Sequence, residues 1–476
     1  GLSFTSVANA RLNLQTEAAS LSFDKAKQEA ADQWEEYLGR IRVETPNRQD
    51  KVKFYTGLYH VLLGRGLASD VNGAYPRNDG SVGQIPLLKG KPKHNFYNTD
   101  AAWGAQWNLA QVWALAYPEY YSDYISSHLL VYKDTGWLAD GIACSRFVSG
   151  VGTNLLSAIL SGAYQCGIRD FDVNLAYEAS LKNELDGVDR PLGAGKVDTD
   201  LFVKYGYVPH QDKGDGPDEA FMFSASHTLE YAYSAWTVAQ WAGQLGKTDD
   251  YAKLMDLSKG WERIYDDSLN FVRPRKANGA FVDDFDPMQV WRGFQEGNAW
   301  QYTFYVPHDV KGLARLMGGQ KKFIDKLQMV FDKGYYDPAN EPDIAYPYLF
   351  SYFKGEEWRT QKTVRELLAK YFTPKPDGIP GNDDAGTMSA WAVFSMMGFY
   401  PDCPGVPEYT LTDPTFDRIT IRLNPEFYGK DKLIIEKKEN GSPEGYIQKI
   451  ELGGKKTGYR INHNDLVKGG TLTFYK

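Results

Sequence analysis

A single acidic residue, Glu296, lies among aromatic, glycine and amide residues in the run FQEGNAWQY at 294–302. Nearby aromatic rings remove water from a carboxyl group, so its pKa rises and it stays protonated near neutral pH. A group that must protonate a leaving oxygen needs that state. The same spacing also suits a carboxylate that caps the backbone N–H groups of a helix. The run therefore predicts either a general acid or a helix cap at Glu296.

Two adjacent carboxylates, Asp383 and Asp384, lie in the glycine-containing loop 377–386, directly before an apolar helical stretch. A helix N-terminus stabilises negative charge, which keeps a base ionised. Neighbouring side chains in an extended segment point in opposite directions, so we expect the two aspartates to differ in role. Helix capping combined with surface charge is the alternative interpretation of this loop.

One protonated and one ionised carboxyl group are what glycoside hydrolysis requires. Inverting enzymes hold the two groups roughly 6.5–9.5 Å apart, so that a water molecule fits between them. A third run, ANEPD at 339–343, clusters oxygen-bearing side chains of the kind that bind calcium, including Asn340 and Glu341. The run lacks the spacing of an EF-hand, so an ordinary loop is the alternative.

Other residues combine aromatic and polar character near these runs and are candidates to contact a sugar: Asp100, Trp103, Trp300, Gln301, His308, Asp309 and Asn382. An aromatic ring can support the apolar C–H face of a sugar, although core packing is the usual role of such a ring. The histidines His60, His227 and His308 do not have the spacing of zinc ligands, which favours structural roles for them.

Composition excludes several classes of protein. The chain has 476 residues and a net charge of −8, without a basic run that could follow a phosphate backbone, so we expect no nucleic-acid partner. It contains no stretch of 18 apolar residues, and hence no predicted membrane span. Three widely separated cysteines (Cys144, Cys166 and Cys403) predict buried thiols rather than disulfides or a zinc site. Because the first residue is Gly1 and not Met, and no targeting segment follows it, we expect a fragment or a processed chain.

Helical periodicity dominates the chain from about residue 18. Apolar residues recur at steps of three and four in the windows 22–42, 52–68, 101–118, 120–133, 153–167, 172–184, 225–246, 248–268, 307–317, 320–334, 343–354, 358–371 and 386–398. Long loops rich in glycine, aspartate and proline, notably 185–223 and 372–386, separate some of them. About a dozen helices without βαβ alternation predict an (α/α)6 barrel, whose loops form a pocket at one end.

The pattern changes at both ends of the chain. After about residue 401, alternating and β-branched segments at 409–411, 418–423, 432–437, 446–452 and 471–475 predict a small all-β domain. Residues 1–16 are interpreted as the end of a strand followed by a linker. The expected organisation is therefore a terminal remnant and linker at 1–17, a barrel at 18–402 and a β domain at 403–476.

Several long motifs occur in an order that resembles glycoside hydrolase family 92. They are EGNAWQYTFYVPHDV at 296–310, NEPDIAYPYLF at 340–350, WRTQ at 358–361 and DGIPGNDDAGTMSAWAVFSMMGFYP at 377–401, supported by SHTLEYAYSAW at 226–236, RPR at 273–275 and FYTGLYH at 54–60. The order and spacing hold over almost the whole chain. The resemblance is carried by the ordered set rather than by any one motif.

The resemblance implies a calcium-dependent, inverting exo-α-mannosidase acting on the ends of N-glycans or mannan. It places the acid on Glu296, the base on Asp384 rather than Asp383, and calcium ligands on Asn340 and Glu341. It also implies a β-sandwich domain of about 250 residues before the barrel, which we expect as a missing half on the same precursor or on a separate chain. A secreted, periplasmic or cell-surface location is expected.

The chain also departs from the family's pattern in the pocket wall. Family members commonly carry a Trp-Asp-Thr-x-Arg run, whereas residues 98–107 here read NTDAAWGAQW and lack the arginine. A usual histidine segment is replaced by GVGTN at 150–154, and the histidine-rich stretch after Asn-Glu-Pro is replaced by DIAY at 343–346. Two other functions therefore remain open: an inverting hydrolase of another α-glycoside or a mannosyl phosphate, and a non-catalytic sugar-binding protein.

Overall fold

The computed structural model describes residues 1–211, 223–438 and 445–476. The longer α-helices are Val7–Glu17, Phe23–Leu38, Arg48–Leu63, Leu109–Ala116, Pro118–Thr135, Leu156–Gln165, Val173–Leu185, Ser224–Gln244, Thr248–Leu257, Gln320–Asp332, Glu357–Tyr371 and Thr387–Met397. Shorter helices are Ala102–Gln106, Thr199–Tyr205, Gly260–Arg263, Ala299–Tyr302, Val310–Leu316, Pro425–Tyr428 and His463–Leu466, with 3-10 turns at Glu341–Asp343, Tyr346–Tyr352 and Asp384–Gly386. The predicted loop 185–223 lies partly outside the described residues.

The helices form the predicted (α/α)6 barrel, and their sequences decide which ring they join. Thr387–Met397 is apolar on every side and is buried along its whole length, as expected of an inner helix. Ser224–Gln244 is also largely buried and packs against Leu156–Gln165 and Thr248–Leu257. In contrast, Gln320–Asp332 buries one stripe of apolar residues and exposes its charged face to solvent, as an outer helix does.

The β domain contains two sheets. The larger has the strand order Ile41–Glu44, Arg418–Arg422, Lys432–Lys438, Gly470–Tyr475, Lys449–Leu452 and Lys455–Thr457. The smaller has the order Phe399–Tyr400, Glu408–Leu411 and Arg460–Asn462. Only one pairing in these two sheets is parallel among the described residues, that of Lys432–Lys438 with Gly470–Tyr475. The fold class, a helical barrel with a small β domain, is confirmed.

Several local predictions were wrong. The segment expected as a strand end and linker forms the helix Val7–Glu17, capped by the Ser6 side chain, because its alanine, arginine, leucine and glutamine residues favour a helix. The end of the predicted helix 22–42 is the strand Ile41–Glu44, which belongs to the larger sheet. The predicted helix 343–354 is a 3-10 segment at Tyr346–Tyr352, where Pro347 removes a backbone donor.

Small β-hairpins occur in the loops of the barrel, and none of them was predicted from the sequence. They pair Ala74–Pro76 with Val82–Gln84, Leu87–Leu88 with Lys91–Pro92, Gly141–Ala143 with Arg146–Val148, and Tyr265–Asp266 with Phe271–Val272. Strands of two or three residues carry too little alternation to be recognised in a sequence. None of the described helices is long and apolar enough to cross a membrane.

Candidate active site

Glu296 lies in a loop directly before the short helix Ala299–Tyr302. The cap of that helix is Asn298, whose side chain accepts hydrogen bonds from the backbone of Trp300 and Gln301, so Glu296 is not the cap. Its φ of 52° places a non-glycine residue in the left-handed region. The carboxyl group is open to solvent on one side, while desolvation and then the charge of Asp384 raise its pKa.

The two adjacent aspartates have different surroundings. Asp383 is bound to the start of the helix Thr387–Met397: its carboxylate accepts from Ser389 N at 2.8 Å and Ser389 Oγ at 2.9 Å, and lies 3.0 Å from His60 Nδ1. Asp384 and Ala385 follow with φ values of 44° and 60°, which turn the chain away from that helix. This turn leaves the Asp384 side chain exposed at the mouth of the barrel.

Asn340 and Glu341 connect the two acidic loops. The Asn340 amide donates to the backbone oxygen of Glu296 at 2.9 Å and accepts from Glu341 N at 3.0 Å. Glu341 is 1% exposed, and its Oε1 has no hydrogen-bond partner. Burial first, and then the charges of Asp384 and Glu296, raise the pKa of Glu341 well above its usual value.

Glu296, Glu341 and Asp384 thus form one carboxylate cluster at the mouth of the barrel. A hydrogen bond joins Glu341 and Asp384, and it lowers the pKa of Asp384 while raising that of Glu341. Partial desolvation within the cluster nevertheless keeps the pKa of Asp384 raised, with a further contribution from the charge of Asp100. The cluster contains groups suited to hold a proton and a group suited to accept one.

Some oxygen atoms of the cluster and of Asn340 have the chemistry that a hard cation prefers. Among the described residues, no set of three or more His, Cys, Asp and Glu side chains has the arrangement of a metal site. Calcium also takes amide and carbonyl oxygens, so Asn340 Oδ1 and the unpartnered Glu341 Oε1 are suitable donors. A cation there would also relieve the repulsion that raises the pKa of Glu341.

Asp100 lies beside the cluster, but Trp103 points into the barrel. The carboxylate of Asp100 accepts from Arg65 Nε at 3.0 Å and also pairs with Arg65 Nη2. Trp103 is buried and donates its Nε1–H to Glu230 at 3.2 Å. Arg65 was missed by the sequence analysis, because nothing local indicates a partner for Asp100 35 residues away.

The remaining candidate sugar-binding residues have contacts of their own. The Trp300 ring packs on Phe271 and Tyr335, and the Gln301 side chain completes the capping box of Asn298. His308 Nε2 donates to the backbone oxygen of Ser258 at 3.0 Å, and the Asp309 carboxylate caps the following helix by accepting from Gly312 N at 2.8 Å. Asn382 lies exposed immediately before the aspartates. Packing therefore accounts for the position of Trp300. Helix capping accounts for Gln301 and Asp309, and a backbone hydrogen bond accounts for His308.

A second buried carboxylate, Glu230, was also not singled out from the sequence, although the run 226–231 that contains it was. Its Oε2 has no hydrogen-bond partner, and burial raises its pKa. In the same inner layer Lys196 pairs with Glu184 at 2.5 Å, and His227 Nδ1 lies 3.1 Å from Asp198. A glutamate embedded among the aromatic and small residues of SHTLEYAYSAW at 226–236 is the signal that could have indicated this layer.

Comparison with known families decides the classification. Residues 9–475 match the glycosyl hydrolase family 92 catalytic domain. The chain belongs to glycosyl hydrolase family 92. A curated relative in Arthroderma benhamiae, described as an uncharacterized secreted glycosidase, is 27% identical over 99% of this chain and 59% of its own length.

Solved family 92 structures agree with this assignment. A family 92 α-mannosidase of Bacteroides thetaiotaomicron is 27% identical, with a TM-score of 0.88 over 99% of this chain and 61% of the other. An enzyme of the same organism described as an inverting mannosidase is also 27% identical, with a TM-score of 0.89 over 99% of this chain and 65% of the other. The chain therefore spans about three fifths of the length of these relatives.

Proposed function

We propose that this chain is the catalytic domain of an exo-acting α-mannosidase that hydrolyses terminal α-mannosides of N-glycans or mannan with inversion. The observation that carries the proposal is the carboxylate cluster of Glu296, Glu341 and Asp384 at the mouth of a family 92 barrel. The two Bacteroides relatives described as mannosidases support mannose as the sugar.

In this mechanism Glu296 is the general acid and Asp384 the general base. Asp384 removes a proton from a water molecule, whose oxygen attacks the anomeric carbon from the face opposite the leaving group. Glu296 gives its proton to the glycosidic oxygen as the C–O bond breaks, which releases mannose and an alcohol. The raised pKa of Glu296 suits a group that must carry a proton near neutral pH.

Calcium belongs to the proposal through Asn340 and Glu341, the residues that would hold it. When bound, the ion would neutralise negative charge beside the reacting sugar and offer coordination to sugar hydroxyls. Asn340 would then also position the acid, because its amide holds the backbone oxygen of Glu296.

The test follows the products released from α-linked mannobiose. We expect the first-formed mannose to be the β-anomer in proton NMR, and a chelator to abolish turnover until calcium is restored. Glu296→Gln is expected to lower kcat by about 10²–10⁴-fold on mannobiose. The same variant should retain most of its activity on α-mannosyl fluoride, whose leaving group needs little protonation.

Other results would favour the alternatives. Cleavage of a mannosyl phosphate or of another α-glycoside in preference to mannobiose would identify a different hydrolase. Sugar binding in calorimetry without product after long incubation would identify a non-catalytic binding protein. Retention of full mannobiose activity in Glu296→Gln would refute the acid assignment.

The setting of the chain is proposed as well. A secreted, periplasmic or cell-surface location is supported by the description of the Arthroderma relative as secreted. A β-sandwich domain, on the same precursor or on a separate chain, is the proposed partner. Co-purification of such a domain with this chain, and a rise in activity on mixing, would support that part of the proposal.

A further inference from the structure

Trp291 is a large apolar side chain left open to solvent on the loop that carries Glu296. The indole is 46% exposed. Its backbone N–H donates to Gly297 O at 3.2 Å, so residues 291–297 form a closed loop. Gly297 closes this loop, and Glu296 directly precedes it in the chain. The backbones of Trp291 and Glu296 therefore lie close together at the mouth of the barrel.

The loop is fixed at several points between these two residues. Gly293 O accepts from Ala225 N at 2.9 Å and Ser226 N at 3.0 Å. Gln295 N donates to Ser226 Oγ at 3.1 Å, and the Gln295 carbonyl oxygen accepts from the Tyr302 hydroxyl at 2.8 Å. Because these anchors belong to the barrel, the backbone positions of Trp291 and Glu296 are fixed relative to each other.

Core packing does not explain why a tryptophan occupies this position. Its φ of 69° lies in the left-handed region, where a bulky residue is an outlier that the surroundings must maintain. The ring has one described aromatic neighbour, Phe223, at a centroid distance of 5.8 Å and a tilt of 59°. Nearly half of the side chain remains exposed, so neither the backbone nor burial favours tryptophan here.

The position of Glu296 suggests a role for the exposed Trp291 ring in binding the leaving group. A general acid stands beside the glycosidic oxygen, so the leaving group must lie on the side of the acid. An indole beside that oxygen can stack on the apolar C–H face of a sugar. We propose that Trp291 is the platform for the first sugar of the leaving group and gives the site a preference for saccharide over small leaving groups.

This inference rests on the proposed function and is tested with two substrates that share the same reacting sugar. Mannobiose presents a sugar as the leaving group, whereas α-mannosyl fluoride presents a single atom. Trp291→Ala keeps the backbone constraint and removes the ring. We expect kcat/KM for mannobiose to fall about tenfold, at the upper end of what aromatic stacking contributes, while kcat/KM for the fluoride stays within twofold.

Two control variants accompany this comparison. Trp291→Phe keeps a flat ring and should retain mannobiose kcat/KM within about threefold of wild type. Trp358, on the outer helix Glu357–Tyr371, is another partly exposed tryptophan at 37%. Trp358→Ala should leave kcat/KM unchanged for both substrates.

The outcomes separate this inference from the function on which it rests. An equal loss on both substrates in Trp291→Ala would show that the ring only supports the acid's loop, and an unchanged mannobiose rate would show that it does nothing for the leaving group. Either result overturns the inference. If the wild type cleaves neither substrate, the proposed function fails. Calorimetry with mannobiose then shows whether the chain is a non-catalytic sugar-binding protein. The platform is retained only if Trp291→Ala loses a wild-type preference for mannobiose over methyl α-mannoside.

Discussion

At the scale of single residues, the two adjacent aspartates are distinguished by their partners. Asp383 accepts hydrogen bonds from the backbone and hydroxyl of Ser389 and lies beside His60, which fixes the start of an inner helix. Asp384 is turned away by a left-handed backbone and shares a hydrogen bond with Glu341 instead. Asp383 therefore has a structural role, and the adjacent Asp384 is left for the proposed catalytic role.

This division predicts different effects of removing each charge. Asp384→Asn should lower kcat by at least about 10²-fold, since a general base is lost, with little change in Tm. Asp383→Asn should cost about 1 kcal/mol of stability, as loss of a helix-start hydrogen bond does. Thermal unfolding and steady-state kinetics on both variants measure the two effects. An inactive Asp383→Asn protein with an unchanged Tm would reverse the assignment.

Part of this residue-scale picture could be predicted from local sequence. A raised pKa of Glu296 was predicted from its aromatic neighbours in the chain, and different roles for Asp383 and Asp384 were predicted from their adjacency, whereas the effect of the Asp384 charge on Glu296 depends on two loops meeting in space. The helix-cap alternative for Glu296 could not be excluded, because Asn298, two residues later, takes that role only through its observed geometry. The pairing of Arg65 with Asp100 depends on two loops meeting in space.

Asp140 provides a pH-dependent prediction. It is 1% exposed, its Oδ1 has no partner, and burial raises its pKa to about 6. The folded state therefore binds more protons than the unfolded state between about pH 4 and 6, and the free energy of unfolding falls as pH rises through that window. Asp140→Asn should be more stable than wild type at pH 7.5 by the order of 1–3 kcal/mol, with little difference at pH 4.

Urea unfolding at a series of pH values measures this effect. The exposed Asp325, which pairs with Lys321 on the same helix, provides a control. Asp325→Asn should follow the wild-type curve to within about 0.5 kcal/mol. A constant difference between Asp140→Asn and wild type across the pH range would show that the proton of Asp140 is not responsible.

At the scale of elements, a buried ion pair joins two barrel helices. Lys196 lies in a loop, and both Lys196 and Glu184 are 1% exposed. Lys196 Nζ also donates to Ser234 Oγ at 2.8 Å, and Ser234 donates to Glu184 at 2.7 Å. The group thereby connects the helices Val173–Leu185 and Ser224–Gln244, and its partial removal leaves a charge in the core.

Replacing one partner of this pair should lower the free energy of unfolding strongly, and replacing both partners should lower it less. Lys196→Met is expected to destabilise the fold by about 3–5 kcal/mol, because Glu184 remains buried without its partner. The double variant Lys196→Met with Glu184→Leu should recover much of that loss. Lys321→Met, in an exposed pair, should change stability by less than about 1 kcal/mol. Equal destabilisation of the single and double variants would contradict the electrostatic explanation.

The helices themselves were largely predictable because their apolar residues follow the helical period over ten or more positions. Ser224–Gln244 and Glu357–Tyr371 lie within two residues of their predicted bounds. Val7–Glu17 was not recognised, since its apolar residues stay mostly exposed and give no amphipathic stripe. The interval Tyr346–Tyr352 shares helical periodicity but winds as a 3-10 segment, which a pattern of apolar residues does not distinguish.

At the scale of the whole molecule, the strand Ile41–Glu44 joins the barrel to the β domain. Ile41 pairs with Ile421 and Val43 with Ile419, and both residues are buried. The pairing spans most of the chain, and no local pattern indicates which distant strand would be the partner. The sequence therefore predicted two successive units, whereas the sheet draws on both ends of the chain.

This arrangement predicts that the barrel and the β domain unfold together. Val43→Pro removes the backbone N–H that donates to the Tyr55 hydroxyl at 3.3 Å, leaves that partly buried contact unmade, and should cost about 1–3 kcal/mol. Tryptophan fluorescence, which reports mainly the barrel, and far-UV circular dichroism should shift to the same lower midpoint. Arg42→Ala on the opposite face of the strand removes only an exposed ion pair with Glu35 and serves as the control. Two separated transitions in Val43→Pro would show independent units.

The same strand has a consequence for chain synthesis. More than 370 residues separate Glu44 from its partner Arg418, so at about 5–20 residues per second the strand waits roughly 20 to 75 s for that partner to be made. During this interval its backbone is an open edge that another nascent chain could join. Arg42 and Glu44 place a charge at every second position along it, and such charges disfavour that association.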